Sequence, residues 1–439
     1  MYVTKAINDP IRLYEGALKL KQGATEISGD GSVQLKWLPT PSLRFQLSMV
    51  SGNIHALAGT DQNWFLVLPM ATTPLKALVM NVQLVGVSDT ISGVINQTVE
   101  IGSDGPLTSL VFHIPNFPGF LGDTIQGYVG RLNRWRRARA TLEAGGWRVT
   151  IDAIPDFDEK GLIATRGYAI THVGKAERID GVNFTLNQAK ELKRALWMFL
   201  SFCRGLWVCP ILLVGMDANG KRVWEEWESP HISPGQFVQS WFDTLTAQGL
   251  MEAFPGFLQR WGDETLWNEP LMIALHWYVE SNLRAGGTEG AIILAQAAFE
   301  VLAWTLLVED RRILSKEGFQ AHGFPASDKL RLLLSSSGVP LTIPPSLQSL
   351  SALALGSKWQ DGPQALSEIR NAFVHPHPAK RKKVLDSEPR ARHEAWSLAQ
   401  WYLEMVLLRL FNYKGKYSNR LSLAVSKGDE VEDVPWMRP

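Results

Sequence analysis

Arg370 and His375 are separated by four residues at the end of a segment with helical periodicity, Pro363 to Val374. An imidazole moves protons near neutral pH and a guanidinium clamps a phosphate as charge builds on it, so this pair suits metal-free RNA cleavage. On an ideal helix, side chains five residues apart point about 140° apart and cannot converge. Because Pro376 disfavours the α region for the residue before it, the sequence predicts that the helix ends near Val374 and leaves His375 extended.

Asn371 is the polar residue directly after the arginine, and we predict that it orients the His375 imidazole from the last helical turn. The spacing of Arg370 and His375 does not by itself show that the pair is catalytic, because a chain with 25 Arg and nine His contains other Arg–His pairs at comparable spacings. The alternative is an ordinary helix C-terminus, at which His375 interacts with exposed carbonyls and Arg370 is solvated.

A basic segment follows the pair. Lys380, Arg381, Lys382 and Lys383 are consecutive, and the stretch from Arg370 to His393 carries seven Lys and Arg against two Asp and Glu. We predict that these four side chains bind the RNA backbone. The alternative is a solvated loop, as short charge runs usually are.

A second basic cluster lies in a predicted strand. On an ideal strand Arg131, Trp135, Arg137 and Arg139 share one face, an arrangement that can hold single-stranded RNA or a charged ligand. The alternative, which we favour, is a solvated strand face whose arginines pair with carboxylates on the neighbouring strand.

The whole chain of 439 residues is nearly neutral, with 44 Lys and Arg against 43 Asp and Glu. Because of this balance, the overall charge gives no reason to expect a nucleic-acid partner, and any RNA would have to bind at a local basic patch. The length predicts two or three domains, each with its own core.

The sequence contains no P-loop, dinucleotide fingerprint, HExxH, EF-hand loop or Gly-x-Ser-x-Gly elbow, and His375 and His377 have no carboxylate or cysteine nearby. We therefore predict neither a metal nor a cofactor.

The compartment is predicted from the cysteines and the apolar segments. Cys203 and Cys209 are too few for a disulfide framework or a zinc site, and we interpret them as reduced core residues. The segment Met1 to Leu20 lacks the apolar region of a secretory signal. Ala195 to Met216 is nearly all apolar, but Arg204 lies in its middle, so we predict a buried helix running into a buried strand and not a membrane span. We expect a cytoplasmic protein with no membrane partner.

The elements that position these residues fall into two kinds. From Tyr14 to about Asp180 the pattern has period two with frequent turn signals, which predicts antiparallel strands in a sandwich or barrel. The clearest hairpin spans Arg139 to Ile154, with Gly145 and Gly146 in its turn.

Helical spacing begins near Thr185. Leu186 to Cys203 is predicted as an amphipathic helix, Ile211 to Glu228 as a hairpin that joins the two halves, and everything from Glu264 onward as helices, with Thr288 capping the longest. The predicted fold is therefore α+β and multidomain. It comprises an antiparallel β-sandwich or barrel-like domain (1–184), a connecting helix and hairpin (185–263) and an all-α helical bundle (264–439).

Parts of the helical half resemble a known family. The helix containing Gln296-Ala297-Ala298-Phe299-Glu300, the helix end Ile369 to His375 and the long helix Glu394 to Phe411 are similar to those of a HEPN domain. The layout of the whole chain also resembles the ApeA-like bacterial proteins, which place a β-rich domain before a HEPN domain. Landmarks of that looser match are Asp217 to Trp224, Tyr413 to Tyr417 and Val434 to Trp436.

The resemblance implies a metal-independent endoribonuclease that acts in anti-phage, abortive-infection defence. It implies a homodimer or higher oligomer in which two Arg-x4-6-His motifs meet, with Arg370 and His375 as catalytic pair, Asn371 in support and Glu300 as a polar partner from the neighbouring helix. The expected partners are an RNA, either tRNA or mRNA, and a phage-derived trigger at the N-terminal domain. The alternative is a non-catalytic module of the same fold that binds a nucleotide or RNA, or acts as a sensor.

Overall fold

The computed structural model describes residues 2–4, 6–54, 57, 63–83, 89–129, 132–155, 157–375, 378, 382, 384, 389–424 and 426–437. At 127–129 and 132–134 it describes the backbone only. It has a closed β-barrel, then an eight-stranded sheet, then a helical region. The α+β class, with N-terminal antiparallel β-structure and C-terminal helices, is confirmed at this level. The finer assignment of the helices to a HEPN bundle stays a prediction.

Six antiparallel strands near the N-terminus close into a barrel in the order β1-β2-β3-β6-β5-β4. They are β1 (Ile11–Gln22), β2 (Thr25–Lys36), β3 (Ser42–Gly52), β4 (Trp64–Val67), β5 (Leu75–Gln83) and β6 (Thr90–Ile95). Alternate residues fill the interior, as Leu18 and Leu20 of β1 and Val33 and Leu35 of β2 show by their burial. The period of two in the sequence produces this inward and outward alternation.

Eight further antiparallel strands form a sheet in the order β7-β14-β13-β8-β12-β11-β10-β9. They are β7 (Val99–Gly102), β8 (Ser109–Pro115), β9 (Asp123–Val129), β10 (Leu132–Ala144), β11 (Trp147–Ala153), β12 (Ile170–Arg178), β13 (Ile211–Met216) and β14 (Arg222–Trp227). The hairpin predicted around Gly145 and Gly146 is confirmed as β10 and β11. Both glycines have positive φ, 55° and 76°, which the tight turn requires.

The hairpin predicted between Ile211 and Glu228 also exists, as β13 and β14, but it lies inside this sheet and does not merely join two halves. The sheet therefore continues past residue 184, where we placed the end of the β-rich domain; the domain boundaries themselves stay predictions. Strand β13 is apolar along its length because both of its faces are covered. Ile211 and Leu212 belong to the core shared with the barrel, and Leu213 belongs to the core shared with the helices.

The helix predicted from Leu186 is α2 (Leu186–Arg204), which follows the short α1 (Glu159–Thr165). Thr185 caps α2 in a capping box, because its Oγ1 accepts from the Gln188 amide at 3.3 Å and the Gln188 side chain accepts from the Thr185 amide at 2.9 Å. Since buried α2 leads to buried β13, the apolar segment is a helix followed by a strand, as predicted. Cys203 and Cys209 are free and buried.

The C-terminal region is mainly helical, as predicted, but the expectation that it is all-α is wrong, because two short antiparallel strands follow its last long helix. Its elements are α3 (Gln248–Trp261), α4 (Asn268–Asn282), α5 (Gly287–Trp304) with a π-helical continuation (Thr305–Asp310), α6 (Lys316–Gln320), α7 (Ala326–Ser336), α8 (Gln348–Ser357), α9 (Gly362–Val374) and α10 (Pro389–Leu410), followed by β15 (Lys416–Ser418), β16 (Val431–Asp433) and the 3₁₀ turn Pro435–Met437. Helix α3 was not predicted, since Pro255 lies inside it. The prediction that Thr288 caps α5 is wrong: the cap is Gly286, whose φ of 73° suits glycine, and Thr288 lies in the first turn.

One helix within the described ranges, Gly287–Asp310, is long and apolar enough to cross a membrane by length and composition alone. Most of it is buried against the other helices, and core helices pass the same test.

Candidate functional site

Helix α9 carries the predicted catalytic residues, and its start is firmly held. Asp361 is the N-cap, with its Oδ1 accepting from the Gln364 amide at 2.9 Å, and Pro363 occupies the first turn. The Asp361 carboxylate also accepts from Arg331 of α7, Nε to Oδ2 at 2.7 Å. These positioning residues were not singled out from the sequence, although Asp before Gly-Pro is a recognisable helix start.

The end of α9 is as predicted. The helix stops at Val374, and His375 is extended, with φ −100° and ψ 135°. Its amide still donates to the Asn371 carbonyl at 3.0 Å, while its side chain is exposed. His375 is therefore tied to the last helical turn by its backbone and presents its imidazole to solvent.

Arg370 is half-buried one turn earlier. Its Nη1 donates to the Asn371 Oδ1 at 3.2 Å, and its Nε is buried without a hydrogen-bond partner among the described residues. The Asn371 side chain thus contacts Arg370 and not His375, the residue we expected it to orient. Apart from the buried Nε, the remaining N–H groups of Nη1 and Nη2 have no acceptor in the described part of the chain, which leaves them available to an anionic group.

Glu300, predicted as a polar partner, lies exposed on α5, a helix that packs against α9. Within the described ranges, no hydrogen bond or ion pair joins it to Arg370, Asn371 or His375. The structure therefore brings Arg370 and Asn371 together, places His375 beyond them, and leaves Glu300 apart.

The basic segment is described only at one of its four residues. Lys382 is exposed, and Lys380, Arg381 and Lys383 lie outside the described residues. The prediction that they bind RNA stays a prediction.

The second basic cluster lies on β10, and part of it follows the alternative that we favoured. Arg139 forms a two-pronged ion pair with Asp152 on β11, at 2.7 Å for both N–O contacts. Arg137 donates from Nε to the Gly122 carbonyl at 3.2 Å, and Trp135 is 69% exposed. Arg131 lies outside the described residues.

The described part of the chain contains no cluster of three or more His, Cys, Asp or Glu side chains that could hold a metal ion. His377 lies outside that part.

Comparison with known proteins relates the chain to YopA. Residues 264–432 match the family model of the YopA C-terminal domain, and residues 102–238 match that of the YopA central domain. The chain is 27% identical over 440 residues to the SPbeta prophage-derived uncharacterized protein YopA of Bacillus subtilis (strain 168), an alignment that covers 98% of this chain and 96% of that protein. No solved structure matches the chain. The chain is thus similar to YopA over nearly its whole length, and the resemblance to HEPN ribonucleases stays a prediction.

Proposed function

We propose that the protein is a metal-independent endoribonuclease whose reacting groups are Arg370 and His375. The observation that supports this best is the end of α9, where the helix stops one residue before His375 and leaves its imidazole exposed. Arg370, one turn earlier, keeps most of its N–H groups without an acceptor among the described residues. A proton-transfer group and a phosphate-binding group are therefore held on one short stretch of backbone.

The reaction would proceed by attack of the ribose 2′-oxygen on the adjacent phosphorus. The 2′-OH proton passes to an imidazole, the bond from phosphorus to the 5′-oxygen breaks, and that oxygen leaves with a proton from an acid. The products are a 2′,3′-cyclic phosphate and a 5′-OH end. Arg370 would bind the non-bridging oxygens as charge develops on them. One imidazole cannot be base and acid in the same step, so a second copy of His375 in a dimer is the expected acid.

The direct test is incubation of the purified chain with RNA in EDTA, followed by analysis of the product ends. We expect cleavage with cyclic phosphate ends, and we expect Arg370→Ala and His375→Ala each to lower the rate by about 10²-fold or more. His322→Ala is a matched control, because His322 is an exposed histidine on another loop. Cleavage that requires added metal, or that survives both substitutions, would refute the proposal.

A second candidate function is a non-catalytic module that binds RNA or a nucleotide. The contact that favours it is the hydrogen bond from Arg370 to Asn371, since a guanidinium held by its neighbour is already aligned for binding. This candidate predicts that His375→Ala retains RNA affinity and that no cleavage occurs in the wild type. Expression of the two forms in cells separates the candidates: a nuclease harms cells only with His375 intact.

The biological setting is also a proposal. The similar protein is named as prophage-derived, and an RNA-cleaving effector released by infection with another phage would suit such a setting. We propose that the N-terminal barrel senses the trigger. Deleting the barrel at the link between β6 and β7 removes no strand of the eight-stranded sheet, but it uncovers the face of β13 that carries Ile211 and Leu212. Circular dichroism of the shortened chain therefore has to show that it is folded before it is used to test this assignment. The deletion should remove the response to infection without removing RNA cleavage.

A further inference from the structure

A small cavity lies between α3, the end of α5, α7 and α10, and no residue of α9 lines it. Its volume is about 30 Å³. Leucine and valine side chains form part of its wall, and three arginines from separate segments, Arg260, Arg311 and Arg409, lie around it. None of these residues was singled out from the sequence.

Each arginine is held in place by a specific contact. The Arg260 guanidinium lies 5.3 Å from the centroid of the Trp267 ring, and its Nη1 is 3.5 Å from the Asp310 Oδ2. Arg311 donates from Nη1 to the Ser336 carbonyl at 2.7 Å. The Arg409 guanidinium lies 5.5 Å from the centroid of the Trp436 ring. Cation–π and carbonyl contacts hold guanidinium groups without neutralising them.

The backbone beside the cavity departs from the α-helix. The π-helical continuation of α5 brings the Arg311 amide onto the Leu306 carbonyl at 2.9 Å, five residues back. The wider turn places Asp310 against the Trp267 indole, which donates to it at 3.1 Å, and sends Arg311 toward α7. Short π-helical segments of this kind occur frequently at functional sites.

The charges around the cavity do not balance. Within the described ranges Asp310 is the one carboxylate that pairs with any of the three arginines, which leaves an excess of two positive charges. The helix dipole explains why a positive charge is tolerated at Arg409, because this residue lies in the last turn of α10. The same argument applies to Arg260 in the last turn of α3, which also pairs with Asp310. Neither contact explains why Arg311, which has no carboxylate partner among the described residues, lies beside two other guanidinium groups, because like charges repel.

We propose that this cavity binds a phosphate group, either as free phosphate or as the terminal phosphate of a mononucleotide. Guanidinium groups arriving from three elements match a tetrahedral oxyanion better than a planar carboxylate, and an excess of two charges matches a phosphate dianion. A volume of about 30 Å³ holds about two water molecules. It therefore accepts the inward-facing oxygens of one phosphate and excludes a sugar or base.

This site is distinct from the proposed nuclease site and does not depend on it. No residue of α9 lines the cavity, and neither Arg370 nor His375 contributes to it. Loss of RNA cleavage would leave this inference untouched.

Isothermal titration of the full chain with inorganic phosphate, at an ionic strength held constant with potassium chloride, tests the proposal. We expect saturable binding of phosphate and of AMP, and none of adenosine. Arg311→Gln and Arg409→Gln should each weaken phosphate binding about tenfold, since each removes a charge-assisted contact. Arg312→Gln is the matched control, because Arg312 is an exposed neighbouring arginine that does not line the cavity.

Circular dichroism of each variant without ligand confirms that it is folded. Arg311 is exposed, and among the described residues its side chain makes one hydrogen bond, to a carbonyl, so Arg311→Gln should fold even if Arg409→Gln does not. Absence of phosphate binding to the wild type would overturn the proposal. So would equal weakening by Arg312→Gln and Arg311→Gln, because general charge screening then explains the binding.

Discussion

Two buried histidines in the eight-stranded sheet should make its stability fall in mild acid. His113 on β8 is fully buried, and its Nε2 accepts from the Tyr2 amide at 3.0 Å while its Nδ1 lies 3.1 Å from the Leu212 carbonyl. Burial lowers the pKa of His113 to about 4. His172 on β12 is also buried, and burial together with the charge of Arg136 lowers its pKa to about 3.

The direction follows from these depressed pKa values. In the unfolded chain a histidine has a pKa of about 6.5, so the unfolded state binds the proton first. The stability is fully present above pH 6.5 and is lost as the pH falls toward the folded pKa. Between pH 7 and pH 5 each histidine costs about 2 kcal/mol of unfolding free energy, or about 4 kcal/mol for both.

Urea denaturation at pH 7 and pH 5, monitored by hydrogen-exchange mass spectrometry of the β8 segment, measures this loss. His113→Gln should lose stability at pH 7 but show about half the wild-type difference between the two pH values, since glutamine can accept from Tyr2 and cannot be protonated. His322→Gln, which changes an exposed histidine, should leave the difference unchanged. If His113→Gln retained the full wild-type difference, His113 would not be its source.

Two further substitutions probe the helical region. Arg420→Ala should lower the unfolding free energy by about 3–5 kcal/mol, measured as a shift of the denaturant midpoint, because it leaves the Glu404 charge buried without the cation 2.5 Å away. Adding Glu404→Gln should recover part of the loss, because it removes that charge and keeps an acceptor for the Tyr278 hydroxyl. Gly362→Ala should cost about 1–3 kcal/mol, because the added Cβ would overlap the Tyr402 hydroxyl oxygen. Adding Tyr402→Phe should relieve part of that cost, and a double variant no more stable than Gly362→Ala would contradict this account.

Local signals in the sequence were sufficient for much of the fold. The end of α9 followed from the proline after His375, the start of α2 coincided with a switch of periodicity at Thr185, and two glycines marked the β10–β11 turn. Each of these depends on residues within a few positions of one another, where backbone preferences act directly.

Long-range pairing was beyond that reasoning. The apolar run of β13 was recognised as a strand, but its place at the centre of the sheet depends on partners far away in the chain. The same holds for the candidate sites. The contact of Arg370 with Asn371 is local, whereas the arginine cavity gathers side chains from residues 260, 311 and 409, which no spacing rule connects.

The strand order of the sheet bears on how the chain is made. Strands β7 and β8 are neighbours in sequence, yet β13 and β14 lie between them, and those two strands are synthesised roughly a hundred residues later. The barrel is complete within its own stretch of chain and can fold on the ribosome as it emerges. The sheet cannot be completed until β13 and β14 have been synthesised, so the edges of β7 and β8 that they cover stay unpaired during elongation. We expect nascent chains halted before residue 211 to aggregate or recruit chaperones, and chains released after residue 227 to bury those edges.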